Sequence, residues 1–405
     1  MRYLSVCLNV VFVAIICLAL NITTIVPVSA DSGFRNWIKE FRPVAVKSGV
    51  SPRVYDEVFR AITAPDSKTV EKLGSQAEFK LKIWDYLDSA VSEAQIRNGR
   101  AMRVQYSSEL DIIERKFGVD RDVVLAVWGI ETRYGERMGD HNVIHALATL
   151  AYAAPRRKKF WRSELINALK IVQAGHIKST AMNGSWAGAM GHTQFMPSSW
   201  KGYAADYNND GKKDIWTSVP DALASTANYL ARHGWQTGKT WGYEVKLPPG
   251  FNTKLAGKDG ITLAKWQSMG VRRVNGSGFP RGNDRAVLKL LSGKNGPAFL
   301  MLKNFYVIKR YNNADSYALA VGHLADRIAG YGPFAKAWPR GYVPLNEAGR
   351  MEVQRILKRL GYYDGEIDGA IGSGSRAAIE NWQRASGLKP DSRPSQKLLA
   401  SLRNA

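Results

Sequence analysis

The sequence predicts a mainly α-helical protein with a small inserted β subdomain and a compact helical module at its C-terminal end. Three observations support this fold class. From Phe34 to about Ser185 the pattern is helical, with few prolines. Residues 242–305 instead hold short β-prone pieces between Gly, Pro and Asn turns. After a linker-like stretch at 339–346, about 60 residues remain, which suits a module of three short helices.

Individual elements can be placed within this outline. "VDRDVVLAVWGIETRYG" predicts one helix, with Asp120 as its N-cap and Gly135 as its stop. "KKFWRSELINALKIVQAG" predicts another that closes at Gly175. Helix returns after the β-prone region with "SYALAVGHLADRIAGY". We therefore expect domain bounds of 31–338 for the helical domain with its insertion and 347–402 for the terminal module.

The N-terminal segment has the pattern of a secretory signal peptide. Arg2 precedes the apolar run Val10–Leu20, and "VSA" at Val28–Ala30 is a small-x-small cleavage site. We expect residues 1–30 to be removed near Ala30, giving an exported protein, periplasmic or associated with the cell wall, with no transmembrane span. A retained N-terminal anchor is the alternative. Both cysteines lie in this segment, so the mature chain would have no disulfide.

The charge balance restricts the class of partner. The formal net charge is +22, and the signal segment contributes only Arg2 to it. Such a charge favours polyanionic partners. Export argues against nucleic acid, and neither a basic arm nor zinc-finger spacing is visible. Cell-wall polymers and anionic lipid surfaces remain as partners.

Glu131 is the first candidate for a chemical role. The apolar helical stripe Val124, Val127, Trp128 continues to position 131, where the sequence places a glutamate. Removing a carboxylic acid from water raises its pKa, which suits a general acid at neutral pH. The structural alternative is a glutamate that pairs with a buried arginine or caps a neighbouring helix. A glycosidase normally needs two carboxylates, but Glu136 cannot share this helix face.

The stretch "GSWAGAMGHTQFMPSSW", Gly184 to Trp200, has a composition suited to a sugar. Its glycines and alanines would let the backbone approach a bulky ligand. Its other residues offer neutral hydrogen bonds and flat apolar faces: Ser185, Gln194 and Ser198, then Trp186, Phe195 and Trp200. A packed Gly/Ala turn between helices is the alternative.

Four motifs together carry a family resemblance: "GIETRYG", "GSWAGAMGHTQFMPSSW", "DYNNDGKKDIW" and "RYNNADSYALAVGHLADRI". In this order and spacing they resemble the lytic murein transglycosylases of the B type, over about residues 34–338. The resemblance implies a lysozyme-like α fold with an inserted β subdomain. It also implies that Glu131 is the catalytic acid and that no cofactor is required for catalysis.

The family's reaction accounts for the single carboxylate. Its glutamate protonates the β-1,4 glycosidic oxygen between N-acetylmuramic acid and N-acetylglucosamine of peptidoglycan glycan strands. The same glutamate then takes the proton of the muramic 6-hydroxyl, which closes a 1,6-anhydro ring without water. By motif position, the resemblance assigns substrate binding to Ser185, Gln194, Tyr311, Asn312 and Tyr317. Simple core tyrosines are the alternative for Tyr311 and Tyr317.

The loop "DYNNDGKKD" has the spacing of an EF-hand calcium loop. Asp206, Asn208 and Asp210 offer side-chain oxygens, and Lys212 offers its carbonyl. Position twelve is Thr217, where an EF-hand has Glu. The family uses an Asp a few residues later, and Asp221 stands roughly at that position. Asp214 could also contribute an oxygen. We expect a structural Ca²⁺ site, with a solvated Asx/Gly-rich loop as the alternative.

The C-terminal tail resembles the small peptidoglycan-binding domain appended to many cell-wall enzymes. "LGYYDGEIDGAIG" and "IENWQRASGL" carry this resemblance, although "PDSRPS" lacks the usual Asp-Gly. A generic three-helix interaction module is the alternative. For the whole chain, the rival functions are a hydrolytic lysozyme-type muramidase and a non-catalytic wall-binding scaffold. Other cell-wall enzymes are further candidate partners.

Overall fold

The structure, a computed structural model, describes residues 32–74 and 82–405. The predicted signal peptide therefore lies outside the described residues. Helices up to the β-rich insertion are α1 (Ser32–Lys47), α2 (Pro52–Phe59), α3 (Ser67–Gly74), α4 (Ile83–Ala90), α5 (Glu93–Gln105), α6 (Ser107–Phe117), α7 (Arg121–Thr132), α8 (Val143–Ala153), α9 (Lys158–Gln173), α10 (Pro197–Tyr203) and α11 (Val219–Arg232). The mainly α prediction is confirmed.

Helix α7 lies at the centre of the helical domain. As predicted, Asp120 caps it by accepting hydrogen bonds from the backbone N–H groups of Asp122 and Val123, at 2.8 and 3.4 Å. The helix is buried around its whole circumference from Val123 to Gly129 rather than along one stripe. It contacts α5, α6, α11 and α14, which explains why polar residues are excluded from this stretch.

The end of α7 differs from the prediction. The helix stops after Thr132, and Arg133 and Tyr134 take left-handed backbone conformations, with φ of 51° and 61°. The predicted stop, Gly135, comes one residue after this turn. The Tyr134 hydroxyl donates to the Gln95 carbonyl at 2.9 Å, and a Cβ on Gly129 would approach the Tyr134 ring to 2.6 Å. Tertiary packing of Tyr134 therefore determines where α7 ends.

Two short strands join the helices next to α7. Strand β1 (His141–Asn142) pairs antiparallel with β2 (Asn183–Gly184). The Asn142 side chain caps α8 by accepting from the His145 N–H at 3.1 Å. The pair therefore anchors the start of the Gly/Ala-rich stretch beside the first residue of α8.

A four-stranded antiparallel sheet forms the inserted subdomain, as predicted. Its strands are β3 (Gly242–Lys246), β4 (Arg272–Arg273), β5 (Val287–Lys289) and β6 (Ala298–Met301), in the order β4-β3-β6-β5. Helix α12 (Leu263–Ser268) covers this sheet through the buried Trp266, within a hydrophobic cluster separate from the main core. The chain then returns to the helical domain as α13 (Lys303–Tyr311) and α14 (Asp315–Ile328).

The C-terminal module consists of α15 (Glu347–Arg359), α16 (Ser373–Ala385) and α17 (Gln396–Arg403). These helices enclose their own hydrophobic cluster around Trp382. The connecting stretch is held against the helical domain: Arg340 forms two hydrogen bonds to Asp88, both at 2.6 Å. Among the described residues, none of the helices combines the length and apolar character needed to cross a bilayer.

Candidate active site

Glu131 lies one residue before the end of α7 and keeps partial solvent exposure. Burial raises the pKa of its carboxyl from 4.5 to about 7, and a hydrogen bond from Tyr317 opposes this increase. The Tyr317 hydroxyl donates to Oε1 of Glu131 at 2.6 Å. A group with a pKa near neutrality can give up a proton and take one back at the same pH.

Three tyrosines surround this carboxyl group. Burial raises the pKa of Tyr86, Tyr311 and Tyr317, and the negative charge of Glu131 raises each further. Tyr311 stacks on Tyr317 with ring centroids 6.4 Å apart and an interplanar angle of 13°. The structure thus brings two of the sequence-predicted residues, Tyr311 and Tyr317, to Glu131.

Tyr86 is a site residue that the sequence did not indicate. It belongs to α4, more than forty positions before Glu131, and α4 reaches the site by packing on α14. The stretch around Tyr86, "IWDYLDSA", resembles an ordinary short helix. No local pattern distinguishes this tyrosine from a core residue, so only the tertiary structure identifies it.

The Gly/Ala-rich stretch folds into a tight turn beside Glu131. Backbone and hydroxyl of Ser185 bond to Ala189: the Ser185 N–H donates to the Ala189 carbonyl at 2.8 Å, and Oγ accepts the Ala189 N–H at 3.1 Å. A Cβ on Gly184 would come within 2.0 Å of the Ala189 carbonyl oxygen, and one on Gly191 within 2.3 Å of the Ile215 oxygen. These glycines allow backbone to pack on backbone, in addition to any role in ligand approach.

Gln194 occupies a left-handed backbone conformation with φ of 53° in this stretch. Its amide Nε2 donates to the carbonyls of Met138, at 3.0 Å, and Gly191, at 2.9 Å. The amide oxygen is therefore the atom that can accept from a ligand. Non-glycine residues rarely adopt this conformation, and such positions cluster at functional sites.

The last turn of α7 is tied to the same stretch through His192. The Thr132 hydroxyl donates to the His192 carbonyl at 2.5 Å, and the Trp128 indole N–H donates to Nδ1 of His192 at 3.2 Å. Burial lowers the pKa of His192, which keeps the ring neutral and able to accept that bond. Tyr311 completes the link by donating to the Thr193 carbonyl at 2.6 Å. These bonds tie the backbone next to Glu131 to the backbone next to Gln194.

Other residues of the predicted sugar surface take different roles. Phe195 and Trp200 are 2% and 6% exposed and belong to the core, so the expectation that they offer faces to a sugar is wrong. Asn312 is exposed at the end of α13, where its Oδ1 accepts the Ala314 N–H at 3.2 Å. Only Trp186 of the three predicted aromatic faces keeps partial exposure.

Among the described residues, Glu131 is the one carboxyl group whose charge raises the pKa of all three tyrosines. Glu136 is exposed and lies outside α7. Across residues 32–74 and 82–405, no second acidic side chain contributes to the pKa shift of Glu131. A hydrolase that holds a nucleophilic or basic carboxylate opposite the acid needs such a partner. The arrangement therefore favours one group that acts first as acid and then as base.

The predicted calcium loop forms a turn in which one carboxylate oxygen has no hydrogen-bond partner. Asp206 Oδ2 accepts the Gly211 N–H at 2.9 Å, whereas Oδ1 is buried without a hydrogen-bond partner. Asn208 Nδ2 donates to Asp210 Oδ2 at 3.1 Å. Asp221 accepts the Tyr207 and Asp214 N–H groups, at 2.9 and 2.8 Å.

Both oxygens of Asp221 accept backbone N–H groups of the loop, and each keeps a lone pair that a cation could use. The ligand role of Asp221 therefore stays a prediction. Within the described part of the chain, no three His, Cys, Asp or Glu side chains are grouped to hold a metal. The orphaned oxygen of Asp206, with Asn208, Asp210 and the Lys212 carbonyl, remains as a set of hard oxygen donors.

The C-terminal module contacts the helical domain next to the site. Arg133 pairs with Asp368, Arg137 with Glu366 at 2.8 Å, and Arg97 with Glu347 at 3.0 Å. A cavity of about 500 Å³ lies between the two parts, and its walls include Tyr86 and Ile130. The arginine beside Glu131 in sequence is thus engaged by the module and leaves the acid unpaired.

Comparison with known proteins agrees with this architecture. The family model described as the transglycosylase SLT domain matches residues 33–326, and a peptidoglycan-binding domain family matches residues 346–402. The membrane-bound lytic murein transglycosylase B of Escherichia coli strain K12 is 34% identical over 251 residues. That match spans 60% of this chain and 66% of the relative, slightly under two thirds of its length.

Solved structures give similar folds. SltB3 from Pseudomonas aeruginosa, in complex with NAG-NAM-pentapeptide, is 44% identical with a TM-score of 0.74, covering 92% of this chain and 100% of its own. The same protein has been solved with NAG-anhNAM-pentapeptide. Lytic transglycosylase Slt35 from Escherichia coli, in complex with calcium, is 27% identical with a TM-score of 0.62, covering 74% of this chain and 93% of its own.

Proposed function

The chain belongs to the transglycosylase SLT family, and from this premise we propose that it is a murein lytic transglycosylase. It cleaves the β-1,4 bond between N-acetylmuramic acid and N-acetylglucosamine without water and leaves 1,6-anhydromuramic ends. The observation that carries this proposal is the single carboxyl of Glu131, with its pKa raised to about 7 and no second carboxylate acting on it among the described residues. SltB3 complexes with NAG-NAM and NAG-anhNAM pentapeptides support the same substrate and product class.

The reaction begins with proton donation by Glu131. The protonated carboxyl gives its proton to the glycosidic oxygen as the bond from that oxygen to C1 of muramic acid breaks, and the N-acetylglucosamine hydroxyl leaves. The neighbouring N-acetyl group stabilises the positive charge at C1. The new Glu131 carboxylate is stabilised by the hydrogen bond that the Tyr317 hydroxyl donates to Oε1.

The second step returns the proton. The Glu131 carboxylate takes the proton of the muramic 6-hydroxyl, and O6 forms a bond to C1, which closes the 1,6-anhydro ring. Glu131 is protonated again, so each cycle consumes no water and needs no cofactor. In this reaction Ser185 and Gln194 hold the sugar and its N-acetyl group.

Product analysis tests this proposal against its rivals. Purified sacculi are digested with the protein, and the masses of the soluble muropeptides are measured by mass spectrometry. Anhydromuramic ends are expected. Reducing ends would indicate a lysozyme-type hydrolase, and the absence of soluble products from folded protein would indicate a wall-binding scaffold.

We further propose that the protein is exported and works on the wall outside the cytoplasm. The signal-peptide pattern of residues 1–30 supports export, and the match to a peptidoglycan-binding domain supports residence at the wall. The C-terminal module then holds the enzyme on the sacculus. N-terminal sequencing of the mature protein tests cleavage near Ala30.

We also propose a weak structural calcium site in the Asp206–Lys212 loop. The buried Asp206 Oδ1 without a partner supports it, together with the calcium complex of Slt35. The ion would stabilise the loop and takes no part in the proton transfers. Lys212 and Lys213 weaken its binding because they place positive charge beside the ion.

A further inference from the structure

A basic and aromatic patch covers one end of the helical domain, at the start of α9. It contains five cations within seven residues, which are Arg156, Arg157, Lys158, Lys159 and Arg162. All five side chains are exposed. Phe160 and Trp161 lie between them and remain partly exposed. The proposed reaction uses none of these residues.

The positive charge of this patch is not neutralised locally. None of the five cations forms an ion pair with any acid in the parts of the chain that the structure describes. The acid nearest in sequence, Glu164, is 2% exposed and accepts the Ser198 N–H at 2.9 Å, so it points into the fold. Five like charges on one exposed turn repel each other, and no ion pair among the described residues offsets this repulsion.

Aromatic rings are built into the same surface. The Arg157 guanidinium lies over the Phe160 ring at 4.1 Å and near the Trp161 ring at 5.5 Å, and the two rings meet edge to face at 4.8 Å. Cations beside partly exposed aromatic rings suit the boundary of a lipid bilayer. There the rings reach the headgroup level while the charged groups contact phosphates.

The patch lies at the end of the fold where helix α1 begins. Helix α1 begins at Ser32, and its Phe34 packs edge to face on Tyr152 at 5.3 Å. Tyr152 is the last residue but one of α8, shortly before the patch.

The same geometry separates the patch from the catalytic site. Helix α8 starts at the β1–β2 strand pair, which holds Gly184 next to the site, and runs through 11 residues to Ala153. A helix of that length spans about 16 Å. The patch thus lies at the opposite end of α8 from Gly184, where a glycan strand bound at Glu131 would leave it accessible.

We propose that this patch docks the protein on an anionic phospholipid surface. The ligand is the headgroup layer of a bilayer that contains phosphatidylglycerol. The five cations contact its phosphates, and Phe160 and Trp161 lie at the headgroup level. The inference does not depend on the chemical activity, because it concerns a separate end of the molecule. It accounts for part of the large positive charge that an enzyme acting on sugars does not itself require.

Vesicle sedimentation tests the proposal with the protein from residue 31 onward. Phosphatidylglycerol mixed into phosphatidylcholine should pellet the wild type, and pure phosphatidylcholine should not. The variant R156Q/R157Q/K158Q/K159Q should partition on the order of 10³-fold more weakly, because each basic residue near an anionic surface contributes separately. A matched control, K246Q/K254Q/K258Q/K265Q, removes the same number of exposed charges from the β subdomain and should retain most of the binding.

Sacculus pelleting and activity are measured in parallel on all three proteins. The patch variant should keep wild-type wall binding and turnover. Equal loss by both variants would assign vesicle binding to net charge, and no loss by the patch variant would place the contact elsewhere. Loss of sacculus binding with vesicle binding retained would show that the patch serves the wall. Each of these three results would overturn the proposal.

Discussion

At the scale of single residues, the proposed reaction depends on Glu131 for both proton transfers. Replacing it with glutamine keeps the shape but removes both the proton donor and the acceptor. We expect Glu131→Gln to lower turnover of sacculi by more than the roughly 10²–10⁴-fold usual for one acid–base role. The matched control is Glu136→Gln, five positions on and exposed, which should keep wild-type turnover. A folded Glu131→Gln protein with a tenth of the wild-type activity would exclude this assignment.

Tyr317 should influence the reaction through the pKa of Glu131. Because the protonated carboxyl is the donor, kcat/KM should fall as pH rises through about 7. The Tyr317 hydroxyl donates to Glu131 and favours the ionised form, so Tyr317→Phe should raise the pKa and move the alkaline fall to higher pH. The pH profile of kcat/KM measures this shift.

Tyr311→Phe is the comparison for that experiment. Its hydroxyl donates to the Thr193 carbonyl and makes no direct bond to Glu131. Its alkaline limb should therefore stay close to that of the wild type, even if turnover falls because the stretch around Gln194 is less well held. An alkaline limb that is unchanged in Tyr317→Phe would contradict the role given to this hydrogen bond.

At the scale of elements, helix α7 shows what local sequence could and could not predict. Spacing predicts the cap at Asp120, which the structure confirms, and it predicts a carboxyl removed from water at Glu131, whose pKa burial raises to about 7. The catalytic role that the family motif assigns to Glu131 stays a prediction. The helix end was misplaced because it depends on Tyr134, which fits over Gly129 and bonds to Gln95 on another helix. Tyr86 was missed for the same reason: the contact that makes it a site residue joins elements distant in sequence.

The calcium loop provides the prediction at this scale. Millimolar calcium should raise the melting temperature, since an ion that binds only the folded state stabilises it by about 0.4–1.4 kcal/mol at one to ten times Kd. We expect a Kd on the order of 10⁻⁴–10⁻³ M, as in extracellular calcium modules. The double variant Asp206→Ala/Asp210→Ala should lose this calcium-dependent shift.

A second double variant controls for general loss of negative charge. Glu57→Gln/Glu71→Gln alters two exposed acids away from the loop and should keep the shift. The quantity compared is the difference between calcium and chelator for each protein, because the substitutions also remove loop hydrogen bonds. Equal melting temperatures of the wild type in calcium and in chelator would show that the loop is a solvated turn that binds no calcium.

At the scale of the whole molecule, composition predicts where the chain divides into modules, but it does not predict how the modules contact each other. The stretch 339–346 has the composition of a linker, yet Arg340 and Tyr342 contact Asp88 and Asp85 on the helical domain. Charge complementarity between Arg133 and Asp368 joins residues more than two hundred positions apart. No pattern within either domain predicts such pairs.

Removing the C-terminal module tests its role in wall binding. The protein ending at residue 343 should fold, because the helical domain has a hydrophobic core separate from that of the module. It should cleave glycan strands but pellet less with sacculi than the full chain. Its remaining binding should fall with added salt, since screening weakens attraction between its cations and wall carboxylates. Undiminished pelleting at all salt concentrations would show that the module does not bind the wall.

The central claim is that one carboxyl group performs both proton transfers and that water takes no part. Digestion of sacculi in water enriched in oxygen-18 tests this most directly, because hydrolysis places a water oxygen on C1 of muramic acid. Mass spectra of the released muropeptides should show 1,6-anhydro ends without heavy oxygen. Heavy oxygen at C1 of reducing muramic acid ends, formed in proportion to enzyme and lost in Glu131→Gln, would contradict it.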